Sequence, residues 1–346
     1  MAKRTGRKKG LGIVALLLCG GALLAALNYY GTFIHSNIVS DPPDKGIVKI
    51  YRSYSYDDLC KAMTDNGVID NKVTFLRAAR HMKLDEKFKP GRYRFRKGMG
   101  NKQIVRILSH GWQTPVNLSF SGYMRSMERF AGHLGSRLEA DSLQFLQALT
   151  SPGTLDKYGF TKATFPAMFI PNTYEVYWTV TPDEFIERMH KEYERFWNEE
   201  RSAKARSIGL SRTEVSTLAS IVIEETKYEP EMARIAGVYM NRLHKGMLLQ
   251  ADPTVKFAVG DESLKRILNR HLSVDSPYNT YKYEGLPPGP ITIPPVAAID
   301  AVLDYEHHNY LYFCAKSTLD GQHAFSTNLA GHLENARRYH QAVSGI

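Results

Sequence analysis

The stretch Leu218-Ala-Ser-Ile-Val-Ile-Glu-Glu-Thr226 holds the residues best placed to do chemistry. At about 100° per residue, Val215, Leu218, Ala219, Ile221 and Val222 share one side of a helix. Glu225 falls about 60° from the middle of that side, and Glu224 nearly opposite it. Glu225 is therefore expected at the edge of a buried stripe, and Glu224 in water. A carboxyl at the rim of an apolar surface has its charged form disfavoured, so its pKa rises. A general acid working near neutral pH needs that property. Read structurally, the same residues are a surface helix end with two solvated glutamates. The rest of the chain has to separate the two readings.

Other chemistries leave no mark. There is no Gly-rich phosphate loop, no HExxH and no GxSxG. Glu306-His307-His308 points its histidines in different directions on a helix and has no third ligand, so no metal site is expected. Beyond Gly246 lie irregular stretches: Leu249 to Val255, Ser276 to Tyr281 and Gly285 to Ile291. Long irregular loops in a compact domain are often functional. Their Asn, Gln, Thr and Tyr side chains are what a sugar-binding cleft offers, and ordinary loop composition looks the same.

The elements that must position these residues follow from pattern. Ile47–Tyr51 and Gly91–Arg96 alternate as strands, with helices expected over 57–63, 73–82 and 101–108. That order is a small α+β module. Arg92, Arg94 and Arg96 are a candidate face for an anionic polymer or, more simply, a solvated strand face. A strand over 114–120 opens a second domain. Helices follow around 125–138 and 141–149, then an aromatic, Pro-punctuated loop over 165–174. Asp183 is read as the cap of a long helix through Phe196. Ser211, with Glu214 in the capping-box position, starts the helix that ends in Glu225. Pro230 opens another, stopped by Gly246, with Ile235, Val238, Tyr239 and Arg242 at helical spacing. Strands at 309–314 and 323–327 and a helix over 329–343 close the chain. The expected class is α+β.

The 346 residues favour about two domains. The net charge of +10 draws half its excess from Lys3, Arg4, Arg7, Lys8 and Lys9, so it is no argument for nucleic acid. These precede an apolar segment, Leu11 to Ile34, long enough for a span of about 20 residues. The basic flank marks the cytoplasmic side, and Tyr29 and Tyr30 suit the far interface. A cleavage site at Ala25-Ala26 is only fair and Leu18 spoils a lipoprotein site at Cys19, so an uncleaved anchor is favoured. Cys60 and Cys314 are expected as free thiols, a bridge between them being the alternative.

Five motifs in order now carry a resemblance: Ala219–Thr226, Ile235–Leu243, Leu249–Val255, Ser276–Tyr281 and Gly285–Pro290. Together they resemble the YceG-like endolytic murein transglycosylase family, across about residues 115–340. The resemblance implies a bacterial envelope enzyme that cuts nascent peptidoglycan strands internally and leaves a 1,6-anhydromuramyl end. It implies no cofactor and no metal, and partnership with the inner membrane and with peptidoglycan synthases. It assigns residues 1–10 to a cytoplasmic tail, 11–34 to a transmembrane helix, 35–46 to a linker, 47–112 to a LysM-like module and 113–346 to a catalytic domain. The family's catalytic glutamate immediately precedes a Thr, Ala or Gly, which places it on Glu225. Where many relatives carry a second Glu, this chain has Ile223. Gln250, Asp252, Thr254, Tyr278 and Asn279 become the candidates for holding the sugar. A muramidase-type hydrolase with Asp252 as second carboxylate, and a non-catalytic glycan-binding scaffold, are the rival readings.

Overall fold

The N-terminal apolar run folds as helix α1 (Arg4–Tyr29), continued by one π-helical turn over Tyr30–Ile34. The computed structural model describes residues 4–42, 46–65, 67–121, 124–261, 264 and 266–344. Lys3 of the basic tail and residues 43–45 of the expected linker lie outside the described residues. Among the described residues one segment, Leu11–Ile34, is long and apolar enough to cross a membrane, with a mean hydropathy of 2.2.

The chain divides into two units. The first holds residues 1–117 and 175–180. Its sheet pairs β1 (Ile47–Ile50) antiparallel with β2 (Gly91–Arg94), Val48 opposite Tyr93. Helices α2 (Tyr56–Asp65), α3 (Lys72–His81) and α4 (Asn101–His110) supply the rest. Period-two alternation sends Tyr93 and Phe95 into a core with Ile50, Leu59, Phe75 and Ile104. Arg94 and Arg96 stay exposed. Arg92 instead donates to the carbonyls of Thr114 and Pro115, so it braces the chain rather than facing a ligand.

The stretch read as a linker starts inside this core. Ile38 is buried, and Asn37 donates to Asn101 Oδ1 at 2.7 Å and to Asn71 O at 2.9 Å. Asn101 in turn donates to Thr32 O at 2.9 Å. The reason is polar satisfaction: a buried amide needs partners, and here three segments provide them.

The second unit holds residues 118–174 and 181–346 and is mostly helical. Strands β3 (Val116–Phe120) and β4 (Asn172–Val176) pair, the latter starting inside the expected loop and running past its end. Helices α5 (Met127–Gly135), α6 (Ser142–Thr150) and α7 (Pro152–Tyr158) follow β3. Helix α8 (Pro182–Phe196) is capped by Thr181 in a capping box with Glu184, not by Asp183, because Pro182 takes the first helical position. Asn198 caps a separate helix, α9 (Glu199–Ser207).

Helix α10 (Arg212–Glu225) starts at the Ser211–Glu214 box as expected, but it is not amphipathic. Every residue from Val215 to Ile223 is buried. Ser216, Thr217 and Ser220 read as polar, yet each hydroxyl donates to a carbonyl of its own helix, which lets them pack inside. Helices α11 (Glu229–His244), α12 (Asp252–Val259) and α13 (Asn269–Leu272) come next. Helix α14 (Val296–Leu303) packs against both α10 and α11. A hairpin of β5 (Tyr312–Ala315) and β6 (His323–Ser326) and the closing helix α15 (Leu329–Ser344) complete the unit.

Candidate active site

Three elements converge on the end of α10. Glu225 is its last residue and lines a cleft of about 380 Å³ with Tyr239 and Arg242 from α11, Gln250 and Asp252 at the start of α12, Tyr281, and the hairpin. Most of the carboxyl's surroundings are protein, and burial pushes its pKa up to about 7. Asp252 and Glu224 add to the rise, while the Tyr239 hydrogen bond and the Arg242 charge oppose it. Tyr239 Oη donates to Glu225 Oε1 at 2.8 Å. Burial and the neighbouring carboxylate hold the Tyr239 phenol well above its ordinary value, so it remains a donor.

Glu224 does not face water. Its side chain is 12% exposed and forms a two-pronged ion pair with Arg125, at 3.2 and 2.5 Å. In place of open solvent it lines a cavity of about 270 Å³ with Arg125, Pro253, Phe257 and Ile291. The two adjacent glutamates thus have opposite settings: one is paired with a guanidinium, the other meets a phenol and an open cleft.

The sequence-derived sugar candidates separate into two sets. Gln250 and Asp252 are exposed in the cleft beside Glu225. Gln250 holds a left-handed backbone, φ +49°, with its N–H on Thr280 O at 3.0 Å. Such a conformation in a non-glycine residue needs surrounding structure to impose it. Thr254 supplies part of that structure rather than a sugar contact. It is fully buried, donates to Ala251 O at 2.7 Å and lies 2.8 Å from the Thr280 hydroxyl. Asn279 is also fully buried. It donates to the carbonyls of Leu272 and Val274 and accepts from the Tyr281 N–H. Tyr281 then donates to Asp252 Oδ1 at 2.6 Å. Tyr278 lies elsewhere, against Phe257, in a separate apolar cavity of about 390 Å³.

Tyr239, Arg242, Tyr281 and the hairpin residues were not singled out by sequence as site residues. The available signal was the spacing of Tyr239 and Arg242, three apart on one face of α11 and 14 residues or more beyond Glu225. Arg242 is buried and donates to the carbonyls of Leu311, Leu248 and Leu249, at 2.7, 3.3 and 2.7 Å. It therefore clamps the hairpin and the Gln250 loop to α11. Close approach matters as well. A Cβ on Gly237 would meet Glu306 O at 2.3 Å, so α11 can carry the segment leading to β5 only with glycine there. In that segment Glu306 pairs with Arg234, and His308 accepts from Asn241 Nδ2 at Nδ1 and donates from Nε2 to Arg234 O. Cys60 and Cys314 are both free thiols, partly buried.

The profile of the YceG-like family matches residues 48–338. The chain is 28% identical to the endolytic murein transglycosylase of Bacillus subtilis, over 93% of this chain and 91% of that protein. It is 25% identical to the endolytic murein transglycosylase of Streptococcus pneumoniae, over 92% of this chain and 63% of that longer protein. The 2.6 Å crystal structure of a yceG-like protein from Listeria monocytogenes superposes with a TM-score of 0.56 at 27% identity, covering 83% of this chain and 97% of that one.

Proposed function

The chain belongs to the YceG-like family, and from that premise we propose that it is a membrane-anchored endolytic lytic transglycosylase. Its substrate would be the bond between N-acetylmuramic acid and N-acetylglucosamine within nascent peptidoglycan strands. The observation that carries the reading is Glu225, a carboxyl pushed by burial up to about 7 in an open cleft. At neutral pH such a group populates both its forms, and the reaction uses both.

Protonated Glu225 donates to the glycosidic oxygen as its bond to C1 of the muramyl residue breaks. The carboxylate so formed takes the proton from the C6 hydroxyl of the same residue. O6 closes on C1, leaving a 1,6-anhydro end on one fragment and a free 4-hydroxyl on the other. The nucleophile belongs to the substrate, so positioning replaces the second carboxylate of a hydrolase. Tyr239 orients Glu225 and steadies its anionic form between the two steps. Gln250 and Asp252 hold the sugar, with Asp252 favouring positive character at C1. Thr254 and Asn279 act through them by fixing the backbone. Helix α1 is the anchor, with the second unit outside the cytoplasm, and the LysM-like first module holds polymeric glycan. Peptidoglycan synthases are the proposed protein partners.

One observation favours a second reading. Asp252 lines the same cleft as Glu225 and could activate water in a hydrolase. Mass spectrometry of muropeptides released by the detergent-solubilised chain separates the two. Anhydromuramyl ends are expected, reducing ends would make it a hydrolase, and no release would leave a binding protein.

A further inference from the structure

Glu231 stands in the first turn of α11, is 4% exposed, and is not part of the chemistry above. A carboxylate in that position costs several kcal/mol unless its oxygens are bonded. Both are bonded by one residue. The backbone N–H of His323 donates to Oε1 at 3.1 Å, and Nδ1 lies 2.9 Å from Oε2. An ionised carboxylate only accepts, so Nδ1 carries the hydrogen. Nε2 is then the nitrogen left over, and in the neutral form of the ring it is a lone-pair acceptor.

The ring is held in orientation as well as in tautomer. It meets Phe313 edge-on at 5.4 Å, Phe313 meets Tyr239 edge-on at 5.9 Å, and Tyr239 bonds Glu225. His323 lines the same cleft as Glu225. A chain of two aromatic contacts, through Phe313 and Tyr239, links the imidazole to the tyrosine that bonds Glu225. A tie between α11 and the hairpin alone would not require an imidazole, since the segment is already clamped by Asn241 and Arg242.

We propose that His323, positioned by Glu231, is a substrate-binding residue whose Nε2 accepts a hydrogen bond from a hydroxyl or acetamido N–H of the glycan. This rests on the glycan-cleaving reading of the cleft.

The test separates the two ring nitrogens. Asn at position 323 can place an amide donor near Nδ1 and keeps Glu231 bonded but has nothing at Nε2. Gln reaches toward Nε2 and gives up the donor at Nδ1. Both changes are made in the detergent-solubilised full chain, with and without Glu225→Gln. Kd for purified glycan strands is measured on the inactive pair and kcat and KM on the active pair. Expected for His323→Asn is an unchanged Tm, Kd and KM raised about tenfold, which is the loss of one good hydrogen bond of about 1.4 kcal/mol, and kcat within about twofold. For His323→Gln a lower Tm is expected with binding largely kept. A purely structural role predicts the same order in Tm but the reverse order in Kd, with His323→Asn binding normally and His323→Gln weakly, and that result would overturn the proposal. Unchanged Kd in both variants would overturn it too. If the Glu225→Gln chain bound no glycan and the parent chain released none, the glycan-cleaving reading itself would fall.

Discussion

At the scale of single residues, Glu225 and Glu224 share a helix turn and differ in everything else. We expect Glu225→Gln to remove release of anhydro-ended fragments, by about 10,000-fold or more, because one group serves both proton transfers. Glu224→Gln should keep activity within about tenfold and lower Tm, since it breaks a partly buried pair with Arg125. Equal loss in the two variants would contradict the assignment. Glu225 also has a pH signature in stability. Its folded value, about 7, lies above the ordinary carboxyl value of 4.5, so its favourable contribution is complete below about 4.5 and lost as pH rises through about 7. The Tm advantage of Glu225→Gln should therefore grow between these limits, with about 3 kcal/mol as an upper bound. An advantage independent of pH would mean that burial does not hold the carboxyl neutral. Tyr239→Phe tests the partner. The Tyr239 bond favours the carboxylate, so its loss should move the alkaline fall of kcat/KM from near 7 upward by about one pH unit.

At the scale of elements, α11 organises the cleft. It supplies Tyr239 to the acid, and Glu231 and Arg242 to the hairpin and loop around it. Gly237 is where this helix meets the segment entering the hairpin, with Glu306 N–H on Ala233 O at 2.9 Å. Gly237→Ala adds a methyl into backbone. The helix gains about 1 kcal/mol of propensity, but the clash costs about 1–3 kcal/mol and shifts the hairpin. The expected result is a lower Tm, about 2–4 °C per net kcal/mol, and a raised KM with kcat nearly kept. A stabilised variant with unchanged KM would show that the contact yields freely.

At the scale of the whole molecule, the apolar N-terminal segment continues directly into buried residues of the first unit. Phe33 and Thr32 are buried, and the Asn37–Asn101 pair lies behind them. Removal of residues 1–29 should leave a soluble protein with Tm close to that of the full chain. Removal of residues 1–40 takes away Asn37 and Ile38 and leaves Asn101 and the N–H of Asn71 without their partners. That form should melt several degrees lower in its first unit, since each orphaned buried polar group costs about 1–3 kcal/mol. Equal melting of the two truncations would restore residues 35–40 to the linker.

Local chemistry made much of this legible in advance. The apolar run of α1, the Ser211–Glu214 capping box, the alternation of β2 and the closing helix are each written within a few adjacent residues, so their patterns survive without the fold. The five motifs carried the family in the same way. What the tertiary structure decided depends on groups far apart in the chain. Glu224, read as a solvated group, is the partner of Arg125, 99 residues away. The hydroxyl on Glu225 comes from 14 residues downstream, and the tie between Glu231 and His323 spans 92. Loop residues with polar side chains look alike in sequence. Only their partners show that Gln250 and Asp252 face the cleft while Thr254 and Asn279 hold the backbone, because a buried amide or hydroxyl must satisfy its bonds within the protein before it can offer them to a ligand.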